Sequence, residues 1–183
     1  MTAPSMTAPP TTSATLHGEV EDPIGDALSD SRVSVSPDLA RATVDVAGGN
    51  LTLVVQFASG TLDRQSTRVV VVLDTDQDAS TGILQPGLGA DYGIDLMAST
   101  VQATITEADP VGCAAHVSCF NAVGSVPITF VPEGMQATVS LSLLGNDDGR
   151  MSFRVNSNVL VAPFTAIGFD LMPDIDLPPA RVQ

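Results

Sequence analysis

The chain has no lysine and no tryptophan, a single tyrosine, Tyr92, and only two histidines and two cysteines among its 183 residues. Without lysine there is no Schiff-base chemistry and no P-loop contact to a nucleotide phosphate. Positive charge is scarce altogether. Seven arginines face 21 acidic residues, for a net charge of −14, and a surface of that sign repels a phosphate backbone and an anionic bilayer, so no nucleic-acid partner is expected. Long apolar runs are also missing. The longest is Val69–Leu73, far short of the ~20 residues that span a bilayer, so no membrane insertion is expected.

Few groups are suited to proton transfer. His17 lies next to a low-complexity N-terminus and His116 lies between the two cysteines, so neither is placed as the base of a Ser or Cys triad. No Gly-x-Ser-x-Gly elbow occurs. The Asp74-Thr75-Asp76 tripeptide lacks the glycine of an aspartic-protease motif and has no second copy. The chain is expected not to be an enzyme.

The residues that are present point to a packed β domain. Hydrophobic residues make up 44% and mean hydropathy is +0.26, enough for one core in a chain of this length. Residues 1–16 are mostly Thr, Ala, Pro, Ser and Met, a composition that forms no core and is expected to be a tail or linker. It has neither the basic segment nor the apolar stretch of a signal peptide. From residue 40 the pattern has period two. Ala42, Val44 and Val46, then Gly48-Gly49-Asn50, then Leu51, Leu53, Val55 and Phe57 describe a hairpin. Further strands are expected at 67–74, 91–97, 100–106, 127–131, 136–144, 151–156 and 164–171, separated by Gly, Pro, Asn and Asp. No segment shows a capped helical period. The expected fold is all-β, an antiparallel, jelly-roll-like β-sandwich with little or no helix, spanning 17–177 and followed by a C-terminal tail at 178–183. Phe57, Phe120, Phe130, Phe153, Phe164 and Phe169 are expected mostly in the core.

Cys113 and Cys119 stand six positions apart. A disulfide is the preferred reading, with an oxidising compartment to match; the alternative, a zinc pair assisted by His116, lacks further ligands because His17 is the only other histidine.

Only four of the acids are glutamate; the other seventeen are aspartate, the residue of turns and of oxygen-ligand cages. They are densest after the apolar strand, in Asp74-Thr-Asp76-Gln-Asp78-Ala-Ser80-Thr-Gly82. Carboxylates at alternate positions of a curled loop, followed by the Ser80 carbonyl, imitate the first half of an EF-hand loop and select calcium. The sixth position is Ala79 and the twelfth Gln85, so the loop is not an EF-hand, and Asp91, opening the next strand, is the expected missing carboxylate. Asp95 is too far along that strand to reach the same ion. A solvated turn in which these side chains cap local amides is the competing reading.

Asp22-Pro-Ile-Gly-Asp26, the Asp-x-Asp-x-Asp-x-x-Thr-Gly loop and Gly89-Ala-Asp-Tyr92 together resemble bacterial extracellular β-sandwich modules akin to family 9 carbohydrate-binding modules and DOMON-type domains, over roughly residues 18–175. The resemblance implies a jelly-roll-like sandwich with structural calcium, borne by secreted proteins, and on that basis Asp22 or Asp26 joins the shell around Asp74. The chain departs from sugar-binding relatives in lacking tryptophan. Two functions are therefore expected from different classes: a secreted module that binds a ligand, a glycan or another cell-surface component, or a structural subunit whose N-terminal tail or sheet edge joins copies into a homo-assembly.

Overall fold

Alternation of apolar and polar side chains is what makes this chain a sheet, and the computed structural model, described here for residues 15–161 and 165–183, shows each alternating segment with its apolar side inward. The hairpin read from sequence is β2 (Leu39–Ala47) and β3 (Asn50–Phe57), turning at Gly48 and Gly49, both with positive φ. Ala42, Val44 and Val46 on one strand and Leu51, Leu53 and Val55 on the other are buried, with the intervening residues at least partly exposed. β4 (Thr67–Asp74), β7 (Tyr92–Met97), β8 (Gln102–Ala108), β10 (Gly134–Ser140) and β12 (Thr165–Met172) also bury alternate residues, with Val70 and Val72 on the outer side of β4, whereas β11 (Met151–Val161) buries almost every residue from Met151 to Val159, Ser152 and Arg154 included. The fold is all-β and antiparallel. Its helical content among the described residues is the short α1 (Pro110–Ala114) and two 3-10 turns.

The two faces of the sandwich belong to one continuous sheet, ordered β1-β2-β3-β10-β9-β8-β7-β4-β11-β12, with β13 also on β11. The corner is β9 (Phe120–Val131), whose first part pairs with β8 and whose last residues pair with β10. The opposite side nearly closes into a barrel. There β1 (Leu16–Glu21) and β13 (Ala180–Val182) meet through reciprocal backbone hydrogen bonds between His17 and Gln183, of 3.3 and 3.2 Å. A side chain at Gly18 would not fit this seam, since a Cβ there would lie 2.6 Å from the Arg181 carbonyl oxygen.

Two expectations change. Residues 178–183 are not a tail: they carry β13, and Val182 is buried in the core. Of the expected N-terminal tail, only residues 15 and 16 fall within the described residues, and Leu16 opens β1. The phenylalanines divide. Phe57 and Phe153 are buried, Phe120 and Phe130 are half-buried with Arg64 stacked 4.3 Å from the Phe130 ring centre, and Phe169 is 40% exposed; Phe164 lies outside the described residues.

The core lies between the two faces, where Val69, Val71, Leu73, Ile94, Leu96, Ile105, Phe153 and Val155 meet the hairpin's buried residues. Each fully buried side chain of this size contributes roughly 1.5–3 kcal/mol. This packing fixes the strand ends, and with them the acidic loops.

Candidate metal centre

The loop after β4 is positioned by that strand and by a small hairpin. Val69, Val71 and Leu73 anchor β4 in the core, which leaves Asp74 at its end, 2% exposed, opposite Ser152 of β11. The chain then runs out and returns through β5 (Ile83–Gln85) and β6 (Leu88–Ala90), which turn at Gly87. The Asp91 amide donates to the Leu73 carbonyl at 2.8 Å, and this returns the Asp91 carboxylate to Asp74. Two glycines permit the return. Gly82 has φ +58°, and a Cβ there would strike the Ala90 carbonyl; a Cβ on Gly89 would lie 2.5 Å from the Thr81 carbonyl oxygen.

Asp74, Asp76 and Asp91 each bring a carboxylate oxygen within 4.8 Å of the others. These are three of the residues expected from sequence. Asp76 and Asp91 also accept hydrogen bonds from the loop. Asp91 Oδ2 accepts from the Thr75 amide at 2.9 Å and the Thr75 hydroxyl at 3.0 Å, while Asp76 Oδ1 accepts from the Asp78 amide at 2.9 Å. The Thr81 hydroxyl reaches Asp76 Oδ2 at 3.0 Å. Asp74 differs: Oδ2 has only a long contact from the Gly89 amide, 3.5 Å, and Oδ1 is buried with no hydrogen-bond partner. Burial raises the Asp74 carboxyl above the ordinary range, and neighbouring Asp76 and Asp91 add to the shift. A buried carboxylate with an unpartnered oxygen, clustered with two further carboxylates, is costly unless a cation or a proton compensates it. The donors are hard oxygens, which suit calcium over zinc. A cleft of about 360 Å³, lined by Thr75, Asp76, Gly82, Asp91, Tyr92 and Glu107, opens beside the trio.

Three other expected carboxylates lie outside this trio. Asp78 is turned into the loop itself, its Oδ1 accepting from the Ser80 amide at 3.0 Å and the Ser80 hydroxyl at 2.6 Å. For this residue the competing reading holds, because an Asx turn at 78–80 uses the carboxylate that an EF-hand would aim at the ion. Gln77, at φ 57°, takes the left-handed kink that turns Asp78 away. Asp22 and Asp26 do not join Asp74. They cluster instead with Asp170 of β12, again with one carboxylate oxygen from each within 4.8 Å. Asp170 went unrecognised as a site residue because the alternation of Ile167-Gly-Phe-Asp-Leu171 carries no sign of its partner: its Oδ2 accepts from the Leu39 amide at the start of β2, 2.6 Å away.

Asp95 is paired with Arg68 at 2.8 and 2.5 Å and stays out of the trio, as its distance along β7 requires. The Asn146–Gly149 turn has Gly149 at φ 90°, with Asp147 capping its amide. Cys113 and Cys119 are disulfide-bonded, so their sulfurs are not zinc ligands. The bond fits a compartment outside the reducing cytoplasm. No described helix is long and apolar enough to cross a membrane.

No family model matches the chain, and no curated protein matches its sequence.

Proposed function

We propose that this chain is a non-catalytic, calcium-stabilised β-sandwich module of the extracellular space, which recognises a ligand such as a glycan or another cell-surface component. The observation that carries the metal reading is the buried Asp74 carboxylate, whose Oδ1 has no hydrogen-bond partner, clustered with Asp76 and Asp91. A calcium ion there would join the end of β4 to the start of β7 and offset the mutual repulsion of the three carboxylates, so that binding and folding are coupled. The disulfide is consistent with secretion, and the resemblance to family 9 carbohydrate-binding modules and DOMON-type domains points to the same class.

For the ligand, the outer face of β4, β11 and β12 offers a groove of about 410 Å³. Val70, Val72, Phe120, Phe169 and Ile175 are among its apolar lining, and Arg68, Arg154 and Asn156 among its polar lining. A largely apolar cleft with two guanidinium groups and a few amides suits a ligand that is part apolar and part hydrogen-bonding. The second reading, a subunit of a homo-assembly, is favoured by the exposed Leu28, Phe169 and Ile175 near the same groove. The tail that such an assembly would use lies outside the described residues. Light scattering separates the two, since a monomer at high concentration counts against assembly.

The metal reading is tested by thermal melting with and without chelator. At a hundredfold excess of calcium over its dissociation constant the linkage is about 2.7 kcal/mol, which raises Tm by roughly 5–10 °C in a domain of this size. Asp76→Ala should abolish the part of that increment that belongs to the Asp74 trio. A melt unchanged by chelator would refute the reading.

A further inference from the structure

We infer that Asp22, Asp26 and Asp170 form a second divalent-cation site, separate from the Asp74 trio, which clamps the long connection between β1 and β2 onto β12.

The first observation is geometric. Asp22 lies just past the end of β1, Asp26 lies in the same connection, and Asp170 belongs to β12, so the three oxygens within 4.8 Å come from two parts of the chain that share no β-ladder. The second is an orphaned group. Asp22 is 9% exposed, and its Oδ2 is buried without a hydrogen-bond partner. A water-exposed carboxylate needs no partner, but a buried one does. Asp38, also buried, stands at the edge of the cluster: its Oδ2 accepts from the Gly25 amide at 2.9 Å, and its Oδ1 is unpartnered.

The donors are already aimed. The Leu39 amide holds Asp170 Oδ2 at 2.6 Å and the Leu171 amide holds Oδ1 at 2.9 Å, and each oxygen keeps a second lone pair for an ion. Among the described residues no positive side chain pairs with this cluster: none of the ion pairs includes Asp22, Asp26, Asp38 or Asp170. Arg154, the buried arginine of β11, gives its guanidinium to the carbonyls of Pro173, Asp174 and Leu177. Burial and the negative charges of Asp170, Asp26, Asp174 and Asp38 raise the Asp22 carboxyl to about 7, and burial chiefly raises Asp170 to about 6. A divalent ion relieves that repulsion without protonation.

The two sites cannot share an ion. Asp170 is opposite Ser157 on β11 and Asp74 is opposite Ser152, a separation of roughly 16 Å along the strand at about 3.3 Å per residue. Entry is open, because a cleft of about 420 Å³ lined by Asp26, Leu28, Phe169, Asp170, Asp174 and Ile175 reaches the cluster from solvent. The clamp has something to hold. Residues 22–38 form no strand, and their backbone links to the sheet include Asp22 to Ala40 at 3.1 Å and Leu28 to Phe169 at 2.7 Å. Arg32, exposed in this connection, marks it for trypsin.

The test uses the full chain stripped of metal and titrated with calcium by calorimetry, with trypsin cleavage after Arg32 as a second readout. Asp26 is exposed, so Asp26→Ala should leave the fold intact, and Asp22→Asn serves as the second variant. The expected result is two ions on the wild type, one on Asp26→Ala or Asp22→Asn, and one on Asp76→Ala. Calcium should slow cleavage after Arg32 at least tenfold in the wild type and in Asp76→Ala, but not in the two variants of this cluster. A wild type that binds one ion, lost in Asp76→Ala and kept in Asp26→Ala, overturns the second site and leaves the first standing. One ion lost only in Asp26→Ala and Asp22→Asn supports this site and removes the Asp74 reading. No ion at all overturns both.

Discussion

A carboxylate's role is set by what surrounds each of its two oxygens. Asp74 and Asp78 are four residues apart in one loop, yet Asp78 spends its side chain on the Ser80 amide while Asp74 keeps a bare oxygen in the interior. The spacing of Asp74, Asp76 and Asp78 announced a curled acidic loop, and Asp91 was legible because a glycine-rich return had to bring the next strand back. Spacing did not reveal which oxygens local amides would claim, since that depends on φ at Gln77. The same scale gives a pH prediction. His17 Nδ1–H donates to the carboxylate of Asp45, 2.7 Å away and its register partner on β2, with Glu19 adding to the effect. The hydrogen bond to Asp45 is the main cause that raises the His17 pKa above 6.5. Because the folded value is the higher one, the stabilisation is complete below pH 6.5 and is lost as pH rises through the folded pKa. An NMR titration should find His17 above 6.5, and Asp45→Asn should bring it down.

Elements with a strong apolar pattern were legible almost to the residue: the β2–β3 hairpin appears where the alternation places it and β4 where the apolar run Val69–Leu73 does, though Val70 and Val72 are only partly buried. Elements that do not bury one face were not. The first residues of β9, Phe120-Asn-Ala-Val-Gly-Ser-Val126, are exposed or half-buried throughout because they turn the corner between the faces, and no alternation marks them. β1 carries His17, Glu19 and Glu21, and β5, β6 and β13 have three residues each, too short for a periodic signal. The disulfided α1 segment is a local element whose loop is also held by Asp109, through its cap on Gly112 at 2.8 Å and its contact with Asn121 at 3.0 Å. Replacing Cys113 and Cys119 by serine should therefore cost no more than about 2 kcal/mol by denaturant unfolding, the loop-entropy value for a ring this small. The calcium-dependent part of the melt should be unchanged, since neither cysteine and no residue between them belongs to either acidic cluster.

At the scale of the whole molecule, the excess of acid is distributed and not simply a solvated coat. Asp22, Asp38, Asp74 and Asp170 are buried near strand ends, in two groups separated along β11. Composition alone gave the excess of acid; the register of β11 with β4 and β12 shows that its buried members form two separate clusters. The seam between β1 and β13 carries its own mechanical consequence. His17 and Gln183 are neighbours in an antiparallel pair, so tension applied through residues 16 and 183 opens that pair one bond at a time, as a zipper, and never loads its bonds together in shear. A host protein that pulled on this domain would peel it from the seam at low force, and β4 and β7, tied to each other across the Asp74 loop, would be left to bear the load.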